Sequence, residues 1–303
     1  MLIHPEFDPV AFQIGPIVIR WYGLTYVVAF AFVHWLALKR IHHPSFSFPL
    51  SPKPWERRDV EDILLYGMFG TIVGARLGHC LFYNPMYYLF NPLEVFAVWK
   101  GGESFHGGLI GVMLSLAWIA HRRNCPYWEV GDLVAPCVPL GLASGRVGNF
   151  INGELWGRVT SPDLPWGMVF RGAGDLPRHP SQIYQFLLEG VLHFVLLWLY
   201  AKKPHKTGQV AAMFLIIYSI FRFIVEFFRE PDAHLGFLAL GLTIGQWLCV
   251  PMLVGGAGLW WWAQRQNTPQ TVSPPRSEPD RSVGAGTDRQ GRSLTSRRRR
   301  SPT

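Results

Sequence analysis

The amino-acid sequence predicts an all-α integral membrane protein, a polytopic bundle of about seven transmembrane helices. Three observations carry this expectation. Apolar residues make up 49% of the chain, aromatic residues 15% and charged residues only 16%, and with a positive mean hydropathy this is too apolar for an ordinary soluble domain. Windows of about 20 mostly apolar residues, the length that crosses a bilayer, lie near residues 22–38, 61–83, 105–120, 130–143, 181–200, 209–228 and 238–262. Lysines and arginines gather in alternate connections between these windows, the asymmetry that sets orientation in a membrane.

The segment before the first window contains Pro5, Asp8, Pro9 and Arg20. It lacks a basic region leading into a short apolar one, so no cleaved signal peptide is expected. Arg20-Trp21-Tyr22-Gly23 then sets an amphipathic aromatic pair at a membrane interface, where such rings anchor helices. The second window carries Gly70, Gly74 and Gly78 at four-residue spacing, a stripe that lets a neighbouring helix approach closely. Arg76, His79 and Tyr83 follow on one face. An arginine at the centre of a spanning helix costs at least ~2.5 kcal/mol, so Arg76 should point into the bundle, and a satisfied structural role is expected for His79.

The third window opens at His106, followed by Gly107 and Gly108, which leave room beside the ring. The positive end of a helix disfavours further positive charge there, which suits His106 to accepting a proton. The fourth window contains Pro136 and Pro139 and is expected to be broken or partly re-entrant. His179-Pro180-Ser181-Gln182 reads as the start of the fifth helix, with Ser181 suited to capping it. On the sixth, Tyr218, Arg222, Glu226 and Arg229 advance by four, four and three residues along one face. Two compatible readings follow: an Arg222–Glu226 pair within the membrane, and an anion-binding face.

Lys39, Arg40, Lys53, Arg57 and Arg58 follow the first window, Arg122 and Arg123 the third, Lys202, Lys203 and Lys206 the fifth, and Arg265 the last. These connections fall on one side, which makes it cytoplasmic and the amino terminus extracytoplasmic. The exception is the loop 144–180, whose Arg146, Arg158, Arg171 and Arg178 lie on the other side and need a reason besides topology.

The formal net charge is +8, but nine of the 28 lysines and arginines lie at or beyond Arg265 with three of the acids. The rest holds nineteen basic against seventeen acidic residues, so no nucleic-acid partner is implied. Residues 1–264 are therefore expected to form the transmembrane domain and 265–303 a basic, disordered cytoplasmic tail, rich in Pro, Ser, Gly and Arg. Such a tail could lie on anionic lipid at about 1 kcal/mol per basic residue near the surface. Cys80, Cys125, Cys137 and Cys249 are scattered without ligand spacing, so neither a disulfide framework nor a metal site is expected. No internal repeat is visible, which weighs against transporter folds built on inverted repeats.

The stretch around which the chain is organised is Gly-Leu-Ala-Ser-Gly-Arg-Val-Gly-Asn-Phe-Ile-Asn-Gly-Glu-Leu-Trp-Gly, residues 141–157. It places Arg146, Asn149, Asn152 and Glu154 among five glycines directly after an apolar run, where a lipid-embedded chain avoids both charge and flexible backbone. An ordinary polar loop would explain one such residue. The whole run reads as a site.

This stretch resembles the signature of the prolipoprotein diacylglyceryl transferases. These bacterial membrane enzymes move a diacylglyceryl group from phosphatidylglycerol onto the lipobox cysteine of a prolipoprotein. The resemblance spans residues 4–262 and includes His106-Gly107-Gly108-Leu109-Ile110-Gly111, His179-Pro180-Ser181-Gln182 and Phe221-Arg222-Phe223-Ile224-Val225-Glu226-Phe227-Phe228-Arg229. It implies attack by the substrate thiolate on the glycerol carbon bearing the phosphate ester, giving a thioether and glycerol phosphate. His106 would then be the base for the thiol, since the thiolate is the nucleophile. Arg146 and Arg222 would clamp the phosphate through their planar forks, and Tyr22 would take part in the reaction.

Asn149, Asn152, Glu154, Gly157, Tyr218, Glu226 and Arg229 would line the substrate site or orient the arginines. The implied partners are phosphatidylglycerol, the prolipoprotein signal peptide and membrane lipids, with no metal or other cofactor. The implied location is the bacterial inner membrane, with the active site facing outward. The chain departs from the resemblance at Gln185, where the family often has Glu. The competing function is a non-catalytic phospholipid transporter or scramblase, which would also use inward arginines. It would distribute polar groups through the membrane depth, whereas apart from Arg76, His79, Arg222 and Glu226 they gather here at the extracytoplasmic helix ends.

Overall fold

Apolar periodicity becomes helix in each of the expected windows. The computed structural model describes residues 2–43, 46, 48–97, 101–231 and 236–267. Beyond its first three residues, the expected tail lies outside them. The helices are α1 (Trp21–His42), α2 (Arg57–Phe82), α3 (Pro85–Phe90), α4 (Phe105–Arg123), α5 (Tyr127–Val134), α6 (Val138–Ile151), α7 (Ser181–Gln185), α8 (His193–Ala201), α9 (Gln209–Val225) and α10 (Ile244–Arg265). A π-helical segment, Phe186–Leu192, joins α7 to α8. By length and composition α1, α2 and the continuous run Ser181–Ala201 can each cross a membrane, and α9 is apolar but shorter. Large apolar side chains such as Phe69, Leu81, Leu114 and Val254 face outward, as the lipid-facing side of a helical membrane protein requires.

The fourth window is broken as its prolines suggest. A single 3-10 turn, Ala135–Cys137, separates α5 from α6. Two short β pairings accompany the helices: Leu2–Ile3 (β1) runs parallel to Met168–Val169 (β4), and Val10–Ile14 (β2) pairs antiparallel with Ile17–Arg20 (β3).

The glycine stripe of α2 packs against α4. A Cβ on Gly74 would overlap the backbone of Gly107, and one on Gly111 the backbone of Gly70, so the two helices touch through their main chains. Ser104 caps α4 by accepting from the Gly107 N–H at 3.2 Å. Arg76 is buried, yet it serves a chain excursion and not the bundle centre. Its guanidinium donates to the carbonyls of Glu94 (2.6 Å), Val95 (2.9 Å) and Gly101 (2.5 Å), tying down the 3-10 turn Pro92–Phe96 that follows α3. His79 stacks on Tyr83 with ring centroids 5.3 Å apart, the structural role expected of it.

At the opposite end of the bundle, buried Asp132 on α5 accepts from the backbone N–H groups of Gly208 (2.6 Å) and Ala211 (2.8 Å). It thereby supplies the first turn of α9 with the partners a helix start lacks. Arg40, also buried, donates to the Asp132 carbonyl at 3.0 Å and lies over the Phe46 ring.

The arginines of the loop 144–180 find their reason here. Arg158 donates to the carbonyls of Arg229 (2.9 Å) and Glu226 (3.1 Å), closing the carboxyl end of α9. Arg178 donates to the Gly157 carbonyl at 3.1 Å and pairs with Glu230 at 2.9 Å. Arg171 pairs with Glu6 in the open. Arg146 alone of the four turns into the bundle.

Candidate active site

The packing that assembles the site starts from a small residue. A Cβ on Gly190 would come within 2.5 Å of the Ala143 Cβ, so the fifth helix can lie close against α6 only with glycine there. Gly190 belongs to the π-helical segment, a helix form that recurs at functional sites. This contact sets Glu189 beside Arg146, which lies almost one turn beyond Ala143 on α6. Glu189 Oε2 is 3.6 Å from Arg146 Nη2, and its Oε1 is 3.5 Å from Arg222 Nη1 on α9.

The network continues along α9. Arg222 Nη2 lies 3.0 Å from Glu226 Oε2, and Arg229 Nη1 lies 3.3 Å from Glu226 Oε1. The four-and-three spacing thus does produce the expected Arg222–Glu226 pair. Thr243 Oγ1 donates to Glu226 Oε1 at 3.1 Å. Thr243 also opens α10 through a capping box with Gln246, and a Cβ on Gly245 would stand 2.8 Å from the Glu226 carboxylate. Glu226 therefore faces the amino-terminal end of α10. Both carboxylate side chains are 1% exposed, against 20% for Arg146 and 16% for Arg222.

The stretch 141–157 braces Arg146 from the other side. Arg146 Nη1 donates to Asn149 Oδ1 (3.2 Å), Asn149 Nδ2 to Glu154 Oε1 (2.8 Å), and Asn152 Nδ2 to the same oxygen (3.4 Å). Gln182 Nε2 donates to the Glu154 carbonyl at 2.6 Å. Ser181 differs from its expected capping role: Pro180 is the residue before α7, and the Ser181 hydroxyl donates to the Leu155 carbonyl at 2.8 Å. Gly157 bonds to the His179 carbonyl at 2.9 Å where any Cβ would overlap the carbonyl oxygens of His179 and Phe228. Arg146, Val147, Phe150, Gln182, Ile183 and Phe186 line a cavity of about 250 Å³ with largely apolar walls.

Tyr218 stacks on Phe214 at 6.0 Å, and the charges of Glu189, Arg222 and Arg146 all act on it. His193, one turn beyond Glu189, is fully buried with neither ring nitrogen bonded. Half-buried His179 is hydrogen-bonded through Nδ1 to the Tyr184 hydroxyl at 3.1 Å, and that hydroxyl accepts from Trp166 at 2.8 Å. Burial pushes the His179 pKa below its ordinary value.

The expected residues do not all meet. Arg146, Asn149, Glu154, Tyr218, Arg222, Glu226 and Arg229 belong to one connected region, with Asn152 and Gly157 on its rim. Tyr22 lies on α1, its hydroxyl 3.3 Å from that of Tyr26. His106 is exposed at the start of α4 and meets the ring of Phe105; no described contact joins it to either arginine. Tyr22 and Tyr26 also meet edge to face, with ring centroids 5.3 Å apart. Glu189 is the residue the sequence reading missed. Its signal was present, since an acid in an apolar window is as costly as the arginines that were singled out.

A partly buried cluster of three guanidiniums facing buried carboxylates beside an apolar cavity suits an anion that carries lipid tails. The sequence model of the family described as prolipoprotein diacylglyceryl transferase matches residues 9–262. The chain belongs to this family. It is similar to the phosphatidylglycerol–prolipoprotein diacylglyceryl transferase of Polaromonas sp. strain JS666, 63% identical over 267 residues that cover 88% of this chain and 97% of the relative. The proteins of the same name from Polaromonas naphthalenivorans and Verminephrobacter eiseniae are each 61% identical, again over 88% of this chain and 99% and 96% of theirs. Membership of the prolipoprotein diacylglyceryl transferase family makes the chain a membrane-embedded transferase.

Proposed function

We propose that this protein transfers the sn-1,2-diacylglyceryl group of phosphatidylglycerol to the lipobox cysteine thiol of prolipoproteins. The substrate thiolate attacks the glycerol carbon that bears the phosphate ester, and a C–S bond forms as the C–O bond breaks. The electron pair leaves with the oxygen, so the products are a thioether and glycerol phosphate. The observation that carries this reading is the convergence of Arg146 and Arg222, from two helices, on the single carboxylate of Glu189. Two guanidiniums so placed can neutralise a phosphate as it takes up charge, and in a water-poor site that stabilisation is large.

In this reading Arg146 and Arg222 hold the phosphate. Asn149 and Glu154 orient Arg146, Glu226 and Arg229 orient Arg222, and Asn152, Gly157 and Tyr218 shape the headgroup site. His106 takes the thiol proton at the exposed start of α4, and Tyr22 takes part in the reaction. The bond changes balance with a thiol, a base and the two cations, and the reading assigns no metal or other cofactor.

Orientation belongs to the same proposal. About seven spans, an extracytoplasmic amino terminus and a cytoplasmic carboxyl terminus put the arginine network at the outer face of the bacterial inner membrane. Residues 1–264 then carry the catalysis, and 265–303 form the accessory basic tail. The test incubates the purified protein with phosphatidylglycerol and a lipobox peptide and looks for a diacylglyceryl adduct by mass spectrometry. An adduct supports the transferase; lipid movement between leaflets without one would instead identify a transporter.

A further inference from the structure

Two amides on the fifth helix carry polar atoms that the fold does not use. Gln182 and Gln185 are both fully buried. Gln182 Nε2 donates to the Glu154 carbonyl at 2.6 Å, which fixes the amide and leaves Oε1 without a partner. Gln185 has a partner at neither Oε1 nor Nε2. Buried polar atoms in native proteins are nearly all bonded, and an unpaired one calls for a water or a ligand. The amides of the stretch 141–157 differ, because Asn149 bonds to Arg146 and Glu154 and Asn152 bonds to Glu154.

Their place along the helix says what such a ligand would be. Gln185 lies four residues before Glu189 and Gln182 three residues before that, and Glu189 faces Arg146 and Arg222 at 3.6 and 3.5 Å. At 1.5 Å per residue the two amides stand about 6 and 10 Å from the level of the clamp, toward the end at which the run Ser181–Ala201 enters the membrane. A phospholipid whose phosphate lies between the arginines directs its tails toward the membrane centre and its headgroup alcohol toward that end, one helical turn away. Gln182 also lines, with Arg146, the cavity of about 250 Å³. The other walls there, Val147, Phe150, Ile183 and Phe186, offer a hydroxyl no side-chain partner. A hydroxyl in that space finds its acceptor at Gln182 Oε1, and one nearer the clamp finds both an acceptor and a donor at Gln185.

We infer that Gln182 and Gln185 are specificity-determining residues that bind the two hydroxyls of a glycerol headgroup on the outward side of the phosphate. The inference rests on the transferase reading and adds to it the recognition of the donor's alcohol. Two acceptor oxygens and an amide donor suit a vicinal diol, each of whose hydroxyls can give and take a hydrogen bond. A headgroup without hydroxyls leaves these buried atoms unpaired in the complex, and sites built on such bonds reject the analogue that lacks them. The headgroup stays on the phosphate when the C–O bond to the diacylglyceryl group breaks, so the contact holds the leaving group without touching the bond that breaks.

The experiment uses the full-length protein in mixed micelles with a lipobox peptide and two donors, phosphatidylglycerol and phosphatidylpropanol. Both are monoanionic phosphodiesters with a three-carbon headgroup and the same bond to break, so they differ only in the hydroxyls. The wild type should favour phosphatidylglycerol by at least about tenfold in kcat/KM, the size of one buried hydrogen bond left unmade. Gln185→Met keeps the length of the side chain without its amide and should lower that ratio at least about fivefold. Gln182→Met should lower it in the same direction. A merely structural role for Gln185 would slow both donors alike.

A wild type that uses the two donors equally overturns the inference, as does a Gln185→Met protein with an unmoved ratio. If Gln185→Met does not insert, the ratio in Gln182→Met decides. Absence of transfer from both donors would refute the transferase reading itself, whereas transfer with an equal or unmoved ratio refutes only the role of the two glutamines.

Discussion

Arg222 and Arg146 should differ in what their loss does to the folded protein, although both should be needed for the reaction. Arg222 pairs with Glu189 at 3.5 Å and with Glu226 at 3.0 Å, and both carboxylates are 1% exposed. Breaking a buried pair from one side costs roughly 3–5 kcal/mol, because the remaining charge stays buried without its partner. Arg146 makes one looser pair at 3.6 Å, from a side chain that is 20% exposed. After its removal Glu189 still faces Arg222, so the loss should be nearer 1–2 kcal/mol. Arg222→Ala should therefore lower the thermal midpoint clearly more than Arg146→Ala. Adding Glu226→Gln to Arg222→Ala removes an underpaired carboxylate and should restore part of the stability.

The rate should follow a different pattern. Each alanine variant should lose about 10²- to 10³-fold in transfer, the usual cost of removing one positioned electrostatic contact. Lysine at either position should recover only part of that, since it keeps the charge and loses the planar fork. The Arg222→Ala, Glu226→Gln double variant should remain as slow as Arg222→Ala despite its recovered stability. Arg122, an exposed arginine 3.6 Å from Asp62, is the control, and Arg122→Ala should keep its turnover. Initial rates normalised to inserted protein, with thermal unfolding of the same preparations, test all of these. Wild-type turnover in either clamp variant would mean that the phosphate is held elsewhere. Equal midpoints for the two alanine variants would mean that Arg222 does not support the two carboxylates as its distances suggest.

Replacing all four cysteines by Ala or Ser should leave transfer intact, since Cys80, Cys137 and Cys249 are buried and burial pushes the Cys125 thiol up to about 11. Loss of transfer in a folded cysteine-free protein would show that the chain contributes its own nucleophile. Truncation after Asn267 should leave the rate nearly unchanged, and a well-inserted truncated protein that is slow would refute the accessory role of the tail. His179 should make the protein acid-labile. Burial lowers its folded pKa, so stability present above about pH 6.5, the unfolded value, falls as pH drops toward the folded one. Thermal midpoints between pH 7.5 and 5.5 should fall less for His179→Gln, and equal slopes would rule His179 out as the cause.

Much of this site was legible because charge inside an apolar window is costly and needs a reason. That argument alone selects Arg146, Arg222 and Glu226, and helical spacing correctly puts Arg222, Glu226 and Arg229 within reach of one another. Glu189 meets the same test and was passed over, and no helical spacing joins it to its partners, which lie on two other helices. The π-helical winding that brings it to them leaves no periodic trace in the sequence. Arg40 was misjudged for a related reason: counted among the basic residues of a connection, it is 1% exposed and bonds to the Asp132 carbonyl. Positive charge near a helix end carries orientation and structure at once, and only tertiary contacts separate the two. His106 shows the reverse case, where a motif is legible but its distance from Arg146 and Arg222 is not.

The arginines of this protein divide by what neutralises them, and the division accounts for where the chemistry can be. Arg76 and Arg158 donate to backbone carbonyls at 2.5–3.1 Å. Those acceptors are neutral and fixed by the chain, so an incoming anion would have to break well-formed bonds and unravel a turn or a helix end. Arg146 and Arg222 face Glu189 at 3.5–3.6 Å, where an arriving phosphate meets guanidiniums that are already charged and converged and whose contacts to Glu189 are long. A phosphate held by these two guanidiniums leaves the backbone hydrogen bonds untouched. A guanidinium held by backbone carbonyls fixes the fold, whereas one set at longer range against a side-chain carboxylate is ready for a ligand. On that ground the network between α6 and α9, and not the more deeply buried Arg76, is where an anionic headgroup belongs.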